Sequence, residues 1–217
     1  MWARAVTPAG PGVPGGEMLA GKARATGGVR RIAEEQAALR RLAMLVAQGE
    51  SPEEVFAAVA AEARQVLHAQ HAWIGRYHPD GTLSVVAAWP SAAAMLIPVG
   101  ARINSGGRNL ITLVLQTGRP ARLDDYVSAT GAAGTLVRES GIRASVGAPV
   151  SVEGRLWGLM AVTSSDEPLS ADTEARLAGF TELAATAIAN AQACYTSASA
   201  TTGAAARTSA AAPGWPG

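Results

Sequence analysis

Cysteine is almost absent from this 217-residue chain, which has a single one, Cys194. One cysteine excludes an internal disulfide and any metal site built from several thiolates. Aromatic residues make up only 5% of the chain, charged residues make up 16%, and the formal net charge is +1. So weak a charge gives no field that would recruit nucleic acid or an anionic membrane.

Long apolar runs are missing as well. No run approaches the ~20 residues that a bilayer span needs. The first residues mix Gly, Pro and Ala and contain no apolar stretch typical of a signal peptide. We therefore expect a cytoplasmic protein.

Composition divides the chain into three parts. Residues 1–28 are rich in Gly and Pro, and residues 195–217 are a low-complexity mixture of Ser, Thr, Ala and Gly. Such segments bury too little apolar surface to offset the entropy lost on ordering. We predict that both are disordered tails of one domain over residues 29–194.

Helical periodicity marks the two ends of this domain. Ser51-Pro52-Glu53-Glu54 has the capping-box pattern that begins a helix. A last helix runs from Ala171 to about Ala193 and has one apolar face. The first helix covers residues 30–48, and its apolar stripe consists of Ile32, Leu39, Leu42 and Leu45.

The middle of the domain shows strand patterns. One β-hairpin turns at His78-Pro79-Asp80-Gly81, and a second turns at Glu153-Gly154-Arg155. Short helices lie between the two hairpins. The order predicts an α+β fold with helices packed on an antiparallel sheet. The predicted strands and short helices cover residues 72–77, 82–89, 109–117, 135–140, 144–152 and 156–164.

Several segments in this order resemble a GAF domain, a small-molecule sensory domain. They are LRRLAMLVAQGESPEEVFAAVAAEARQVL followed by AWIGRYHPDG, then TGRPARLDDY, then ASVGAPVSVEGRLWGLMAVTSSDEPLSADTEARLAGFTELAATAIANAQA. Together they span about residues 38–194. The chain most resembles GAF domains of actinobacterial sensor histidine kinases, in which long N- and C-terminal helices carry the signal. No phosphoacceptor histidine segment and no glycine-rich ATP-binding boxes follow, so the resemblance does not imply kinase activity.

The resemblance implies a ligand pocket beside the short helices. Arg108 and Asn109 follow Ser105-Gly106-Gly107, where free amides before a helix suit an anion, although a flexible turn explains the same residues. Tyr126 and Trp89 offer aromatic faces to a ligand, although either also fits a core position. We predict a site for a small, partly apolar molecule with an anionic or carbonyl group at Trp89, Arg108, Asn109 and Tyr126.

The other reactive residues fit structural roles. His68, His71 and His78 lack the spacing of a haem or metal site, so we predict surface histidines and no metal. Cys194 lies at a helix end, which excludes bilin attachment and methionine sulfoxide reduction, since GAF relatives use pocket cysteines for both. The acidic residues at 166–167 and 172–174 suit a helix start. The Asn-Lys and Phe of cyclic-nucleotide-binding relatives are missing.

We therefore predict a non-enzymatic sensory domain without a cofactor. It binds a small molecule and relays signal through its terminal helices in a homodimer, with a histidine kinase or another signalling protein as partner, as in two-component sensors. The alternative is a ligand-free scaffold for dimerisation or partner docking. A pocket filled by its own side chains would favour that alternative, and the residues to fill it are Trp89, Leu110, Val114 and Tyr126.

Overall fold

The computed structural model describes residues 15–90 and 97–209, and the side chains of residues 28–90 and 97–193. The chain divides into two units, residues 1–37 and residues 38–217. The first unit contains the beginning of helix α1 (Gly15–Gln48), where Arg30 and Glu34 form an ion pair at 2.8 Å. The second unit contains the remaining elements.

The second unit is built on a six-stranded sheet with the strand order β3-β2-β1-β6-β5-β4. All neighbouring strands are antiparallel. The strands are β1 (His71–Tyr77), β2 (Thr82–Trp89), β3 (Arg102–Asn104), β4 (Ala121–Leu123), β5 (Ala144–Val152) and β6 (Arg155–Ser164). The helices after α1 are α2 (Pro52–Val66), α3 (Leu110–Thr117), α4 (Gly131–Glu139) and α5 (Thr173–Ser209).

The α+β class predicted from the sequence is confirmed, as are the local signals that define its elements. Ser51 caps α2 by accepting a hydrogen bond from the Glu54 amide, and the Glu54 carboxylate accepts one from the Ser51 amide at 3.1 Å. The hairpin of β5 and β6 turns at Glu153 and Gly154, whose φ angles are +50° and +75°. A two-residue hairpin turn of type I′ requires a positive φ angle at both of its central residues.

Helices α2 and α5 cover one face of the sheet and enclose the larger of two apolar clusters. Leu42 of α1, only 1% exposed, is part of this cluster, and Leu39 and Leu45 pack against it. The stripe predicted for dimerisation is therefore largely covered by the chain's own core. The apolar face of α5 is buried in the same cluster through Leu177, Phe180, Ala184, Ala187 and Ile188. In the first unit, by contrast, Ile32 is 65% exposed.

Helices α3 and α4 lie on the opposite face, over a second apolar cluster that includes Trp73, Leu83 and Val114. The hydroxyl of Tyr77 on β1 donates a 2.7 Å hydrogen bond to the carbonyl of Ile111, which fixes α3 to the sheet. The sheet thus separates a face of long helices from a face of short helices. The candidate site lies on the second face.

Both terminal helices extend beyond the predicted limits. Helix α1 begins at Gly15 rather than near residue 30, and α5 ends at Ser209 rather than near residue 193. The extension of α5 is rich in alanine, which has the highest helix propensity and needs no buried partner. Residues 15–29 of α1 contain more glycine than alanine, and their composition does not explain the helix. Residues 1–14 and 210–217 of the predicted tails lie outside the described residues, and the domain limits stay a prediction. No described helix is long and apolar enough to cross a membrane.

Candidate functional site

A cavity of about 140 Å³ lies between the sheet and the two short helices. We call it the α3–α4 cavity. Its floor is the sheet face of alternate residues on β1, β2, β5 and β6, because side chains two apart on a strand share a face. The described floor residues are His71, Trp73, Val85, Ser145, Thr163 and Ser165.

The roof of the cavity comes from α3, α4 and the loop that precedes α4. Most of these side chains are apolar, which suits the body of a small organic ligand. Tyr126 contributes a hydroxyl from the loop. The roof residues include Asn109, Leu110, Ile111, Tyr126, Ala133 and Val137.

Two glycines allow the loop before α3 to touch the loop before α4. A Cβ atom on Gly107 would lie 2.3 Å from the carbonyl oxygen of Thr130, and one on Gly131 would lie 2.1 Å from that of Gly106. The buried side chain of Asn109 joins the same loops, donating to the carbonyls of Gly106 and Thr130 at 3.0 and 3.1 Å. The glycines and Asn109 therefore hold the roof together.

Ser145 and Tyr126 place two hydroxyl groups in this mainly apolar space. Ser145 is 0% exposed, and its Oγ makes no hydrogen bond within the protein. Burial raises the pKa of Tyr126 to about 12, and the nearby Ser145 hydroxyl offsets part of that rise. The two hydroxyls are neighbours, and the Ser145 Oγ has no hydrogen-bond partner. A buried hydroxyl without a partner costs free energy, so Ser145 marks the point where a ligand could bind.

His71 and Thr163 complete the polar part of the floor. The Thr163 Oγ1 and the His71 Nδ1 lie 3.3 Å apart, within hydrogen-bond reach. Partial burial and the positive charge of Arg64 lower the pKa of His71, so its imidazole is neutral at pH 7. His71, predicted as a surface histidine, is half-buried and lines the cavity, because antiparallel pairing of β1 with β6 brings it beside Thr163.

The structure brings two of the four predicted ligand-binding residues to the cavity, Asn109 and Tyr126. Trp89 is 42% exposed at the end of β2, and neither Trp89 nor Arg108 is among the described lining residues. The Arg108 guanidinium instead donates from Nη2 and Nε to the Ser128 carbonyl, at 2.7 and 3.2 Å. Ligand binding by these four residues stays a prediction.

Sequence reasoning did not find Ser145, Thr163 or Trp73 as site residues. Ser145 is a polar residue within the apolar run of β5, and this feature of the sequence could have identified it as a site residue. A polar residue inside a buried strand needs a partner, and that partner is not visible in the sequence. The described residues contain no group of three or more His, Cys, Asp or Glu that could hold a metal ion.

The GAF-domain family model matches residues 51–188, which include the sheet, α3, α4 and the cavity. The fold is similar to the phycoerythrobilin-bound GAF domain of a cyanobacterial phytochrome, with 20% identity over 74% of this chain and 97% of that one, at a TM-score of 0.62. The GAF domain of a phosphoenolpyruvate-protein phosphotransferase from Coxiella burnetii gives 20% identity over 76% of this chain and 98% of that one, also at 0.62.

A third similar structure is the chromophore-binding domain of Stigmatella aurantiaca bacteriophytochrome, carrying a Thr289His mutation in that protein's own sequence. It shows 17% identity over 71% of this chain and 60% of that one, at a TM-score of 0.54. Identities this low establish a shared fold and nothing finer. No curated protein matches the sequence. Because the family model covers well over half of the residues, the chain belongs to the GAF family.

Proposed function

We propose that this GAF domain is a non-catalytic sensor that binds a small molecule in the α3–α4 cavity. The observation that carries the proposal is a cavity of about 140 Å³ that contains a fully buried, unpaired Ser145 hydroxyl. An apolar cavity of about 150 Å³ in another protein accommodates benzene. The space therefore suits a ligand with about one ring.

The ligand differs from the chromophore in the similar phytochrome structure. A bilin is an open chain of four pyrrole rings, and the α3–α4 cavity has the volume of about one ring. Covalent attachment of a bilin would also need a cysteine at the pocket. The single cysteine, Cys194, is on α5, on the other side of the sheet from α3 and α4.

The proposed output is a relay through the terminal helices α1 and α5 in a homodimer, as in two-component sensor proteins of actinobacterial type. The partner would be a histidine kinase or another cytoplasmic signalling protein. Val29 and Ile32 of α1, which are 69% and 65% exposed, supply an apolar surface for a second copy of the chain. The ion pair between Arg122 of β4 and Glu174 of α5, at 2.7 Å, would connect the cavity wall to α5.

A ligand-free scaffold is the alternative proposal. The scaffold requires that the protein's own side chains fill the pocket. Two of the four residues expected to fill it, Val114 and Trp89, are not among the described lining residues. Val114 is buried in the apolar cluster under α3, and Trp89 is partly exposed. The remaining space favours the sensor over the scaffold.

Filling the cavity tests the proposal. Ala133 lines the cavity from α4, and its neighbour Ala132 on the same helix is exposed. Titration with phenol, followed by ¹H–¹⁵N NMR, should give saturable shifts in the wild type and in Ala132→Leu, and none in Ala133→Leu. Ala133→Val provides a milder filling variant if Leu distorts the helix. Equal binding by all variants would place phenol elsewhere, and absence of binding to the wild type would favour the scaffold.

A further inference from the structure

The floor of the α3–α4 cavity changes from polar to apolar between two rows of residues that cross the sheet. In one row, Thr163 of β6 lies between His71 of β1 and Ser145 of β5. In the next row, Ala161 lies between Trp73 and Gly147. Trp73 lines the cavity, and the side chain of Leu110, which also lines it, lies over Gly147. Residues two apart on a strand are separated by about 7 Å, roughly the length of a single ring with one substituent. The rows therefore match an amphipathic ligand of that size.

The polar row and its surroundings carry no formal charge at neutral pH. His71 is neutral, and the Tyr126 phenol stays protonated because burial raises its pKa. No Lys, Arg, Asp or Glu is among the described residues that line the cavity. An ionised ligand would lose its hydration there without gaining a partner of opposite charge, which is costly.

Three arginines near the cavity are engaged elsewhere. The Arg108 guanidinium donates to the Ser128 carbonyl, and Arg138 donates to the Ala129 carbonyl at 3.0 Å. Arg122 is paired with Glu174 at 2.7 Å. Because the Arg108 guanidinium is already paired and does not line the cavity, it does not anchor the anion predicted from the sequence.

We infer that the α3–α4 cavity selects an uncharged, single-ring ligand whose hydroxyl or carbonyl group hydrogen-bonds to Ser145, while its apolar part lies against Trp73 and Leu110. The inference rests on the proposed function and adds the chemical class of the ligand. Ser145 is the selective group because its hydroxyl is already desolvated and unpaired, so a polar ligand atom restores a missing hydrogen bond. An apolar ligand of the same shape leaves it unpaired.

Three probes with the same ring test this inference. Phenol carries an uncharged hydroxyl, toluene carries a methyl group, and benzoate carries a charge at pH 7. Dissociation constants would be measured by NMR titration for the wild type, Ser145→Ala and Ser151→Ala. Ser151 is on the same strand but exposed, so it is a matched control.

We expect benzoate to bind at least about tenfold more weakly than phenol, since its charge is not compensated. In Ser145→Ala, phenol loses its hydrogen bond to the serine, whereas toluene has none to lose. The toluene dissociation constant divided by the phenol dissociation constant should therefore fall about fivefold relative to the wild type, the effect of one hydrogen bond between uncharged groups. It should not change in Ser151→Ala. Comparing ratios cancels the different hydration of the two probes.

The outcomes separate the two proposals. If no probe binds the wild type, the proposed function fails, and the inference fails with it. If phenol and toluene bind but their ratio is the same in Ser145→Ala, the cavity binds ligands and the inference about Ser145 is wrong. Binding of benzoate as tight as that of phenol likewise overturns the selection of an uncharged ligand while leaving the sensor intact.

Discussion

Arg122 and Glu174 form a two-point ion pair, in which Nε and Nη2 of the guanidinium contact Oε1 and Oε2 of the carboxylate, both at 2.7 Å. The guanidinium also donates to the carbonyls of Leu169 and Ser170, at 3.0 and 2.6 Å. The pair joins edge strand β4 to the first turn of α5. Tyr126 follows β4 in the chain and lines the cavity, so this contact connects the cavity wall with the helix proposed to carry the signal.

Replacing Glu174 by Gln should lower the free energy of unfolding by about 1–2 kcal/mol at pH 7, because the pair is partly buried and its hydrogen bonds involve charged groups. Urea denaturation measures the change. Glu182→Gln on the exposed face of α5 is the control and should change stability by less than about 0.5 kcal/mol. An equal loss in both variants would show that the effect is not specific to the pair.

The same pair predicts a pH dependence. Hydrogen bonding to Arg122 holds the pKa of the Glu174 carboxyl below its usual value. A lowered pKa in the folded state adds stability above the unfolded-state value of about 4.3, and this stability is lost as the pH falls through the folded-state value. The stability difference between wild type and Glu174→Gln should therefore be constant from about pH 6 to pH 8 and shrink below about pH 4. A difference that grows on acidification would contradict this assignment.

Ser145→Ala should make the ligand-free protein more stable, by about 1 kcal/mol, because it removes a buried hydroxyl that has no partner. Thermal and urea unfolding of the two proteins measure the change. Ser151→Ala, on the same strand but exposed, should leave stability nearly unchanged. A destabilised Ser145→Ala would mean that Ser145 has a structural partner, and its role as a free ligand contact would be lost.

Local patterns explain why much of the fold could be predicted. The capping box of Ser51 and Glu54 and the turn at Glu153 and Gly154 depend on residues adjacent in the chain, and both are present in the structure. The cavity floor depends instead on register. Ser145 lies opposite Thr163 only because β5 and β6 pair in one particular register. The sequence of either strand alone does not determine that register.

The expectation for Arg108 illustrates the same limit. A glycine-rich turn with an arginine before a helix is typical of an anion site, and the sequence contains one. In the structure the turn packs against the loop before α4, and the guanidinium donates to a carbonyl in that loop. Which partner the arginine takes depends on a loop distant in the sequence, so the local pattern could not determine it.

Gly131→Ala should strongly destabilise the protein, by more than about 2 kcal/mol, since its Cβ would lie 2.1 Å from the Gly106 carbonyl oxygen. Gly141→Ala is a matched control at the other end of α4. The φ angles of Gly131 and Gly141 are +82° and +78°, but a Cβ on Gly141 meets nothing within 4 Å. The control should lose only about 1 kcal/mol, from backbone strain alone. Similar losses in both variants would show that the two loops can separate without cost.

Ile32→Asp should weaken the proposed homodimer by at least about tenfold in dissociation constant, because it places a charge in an apolar contact between two copies of α1. Sedimentation velocity over a range of concentrations measures the effect. Ala33→Asp adds the same charge at an exposed position next to it on the helix and should leave the dimer nearly unchanged. Leu42→Asp is unsuitable for this test, since Leu42 belongs to the core and its loss would unfold the domain. A wild-type protein that remains monomeric at tens of micromolar would refute the homodimer, and the relay through paired terminal helices would then need another partner.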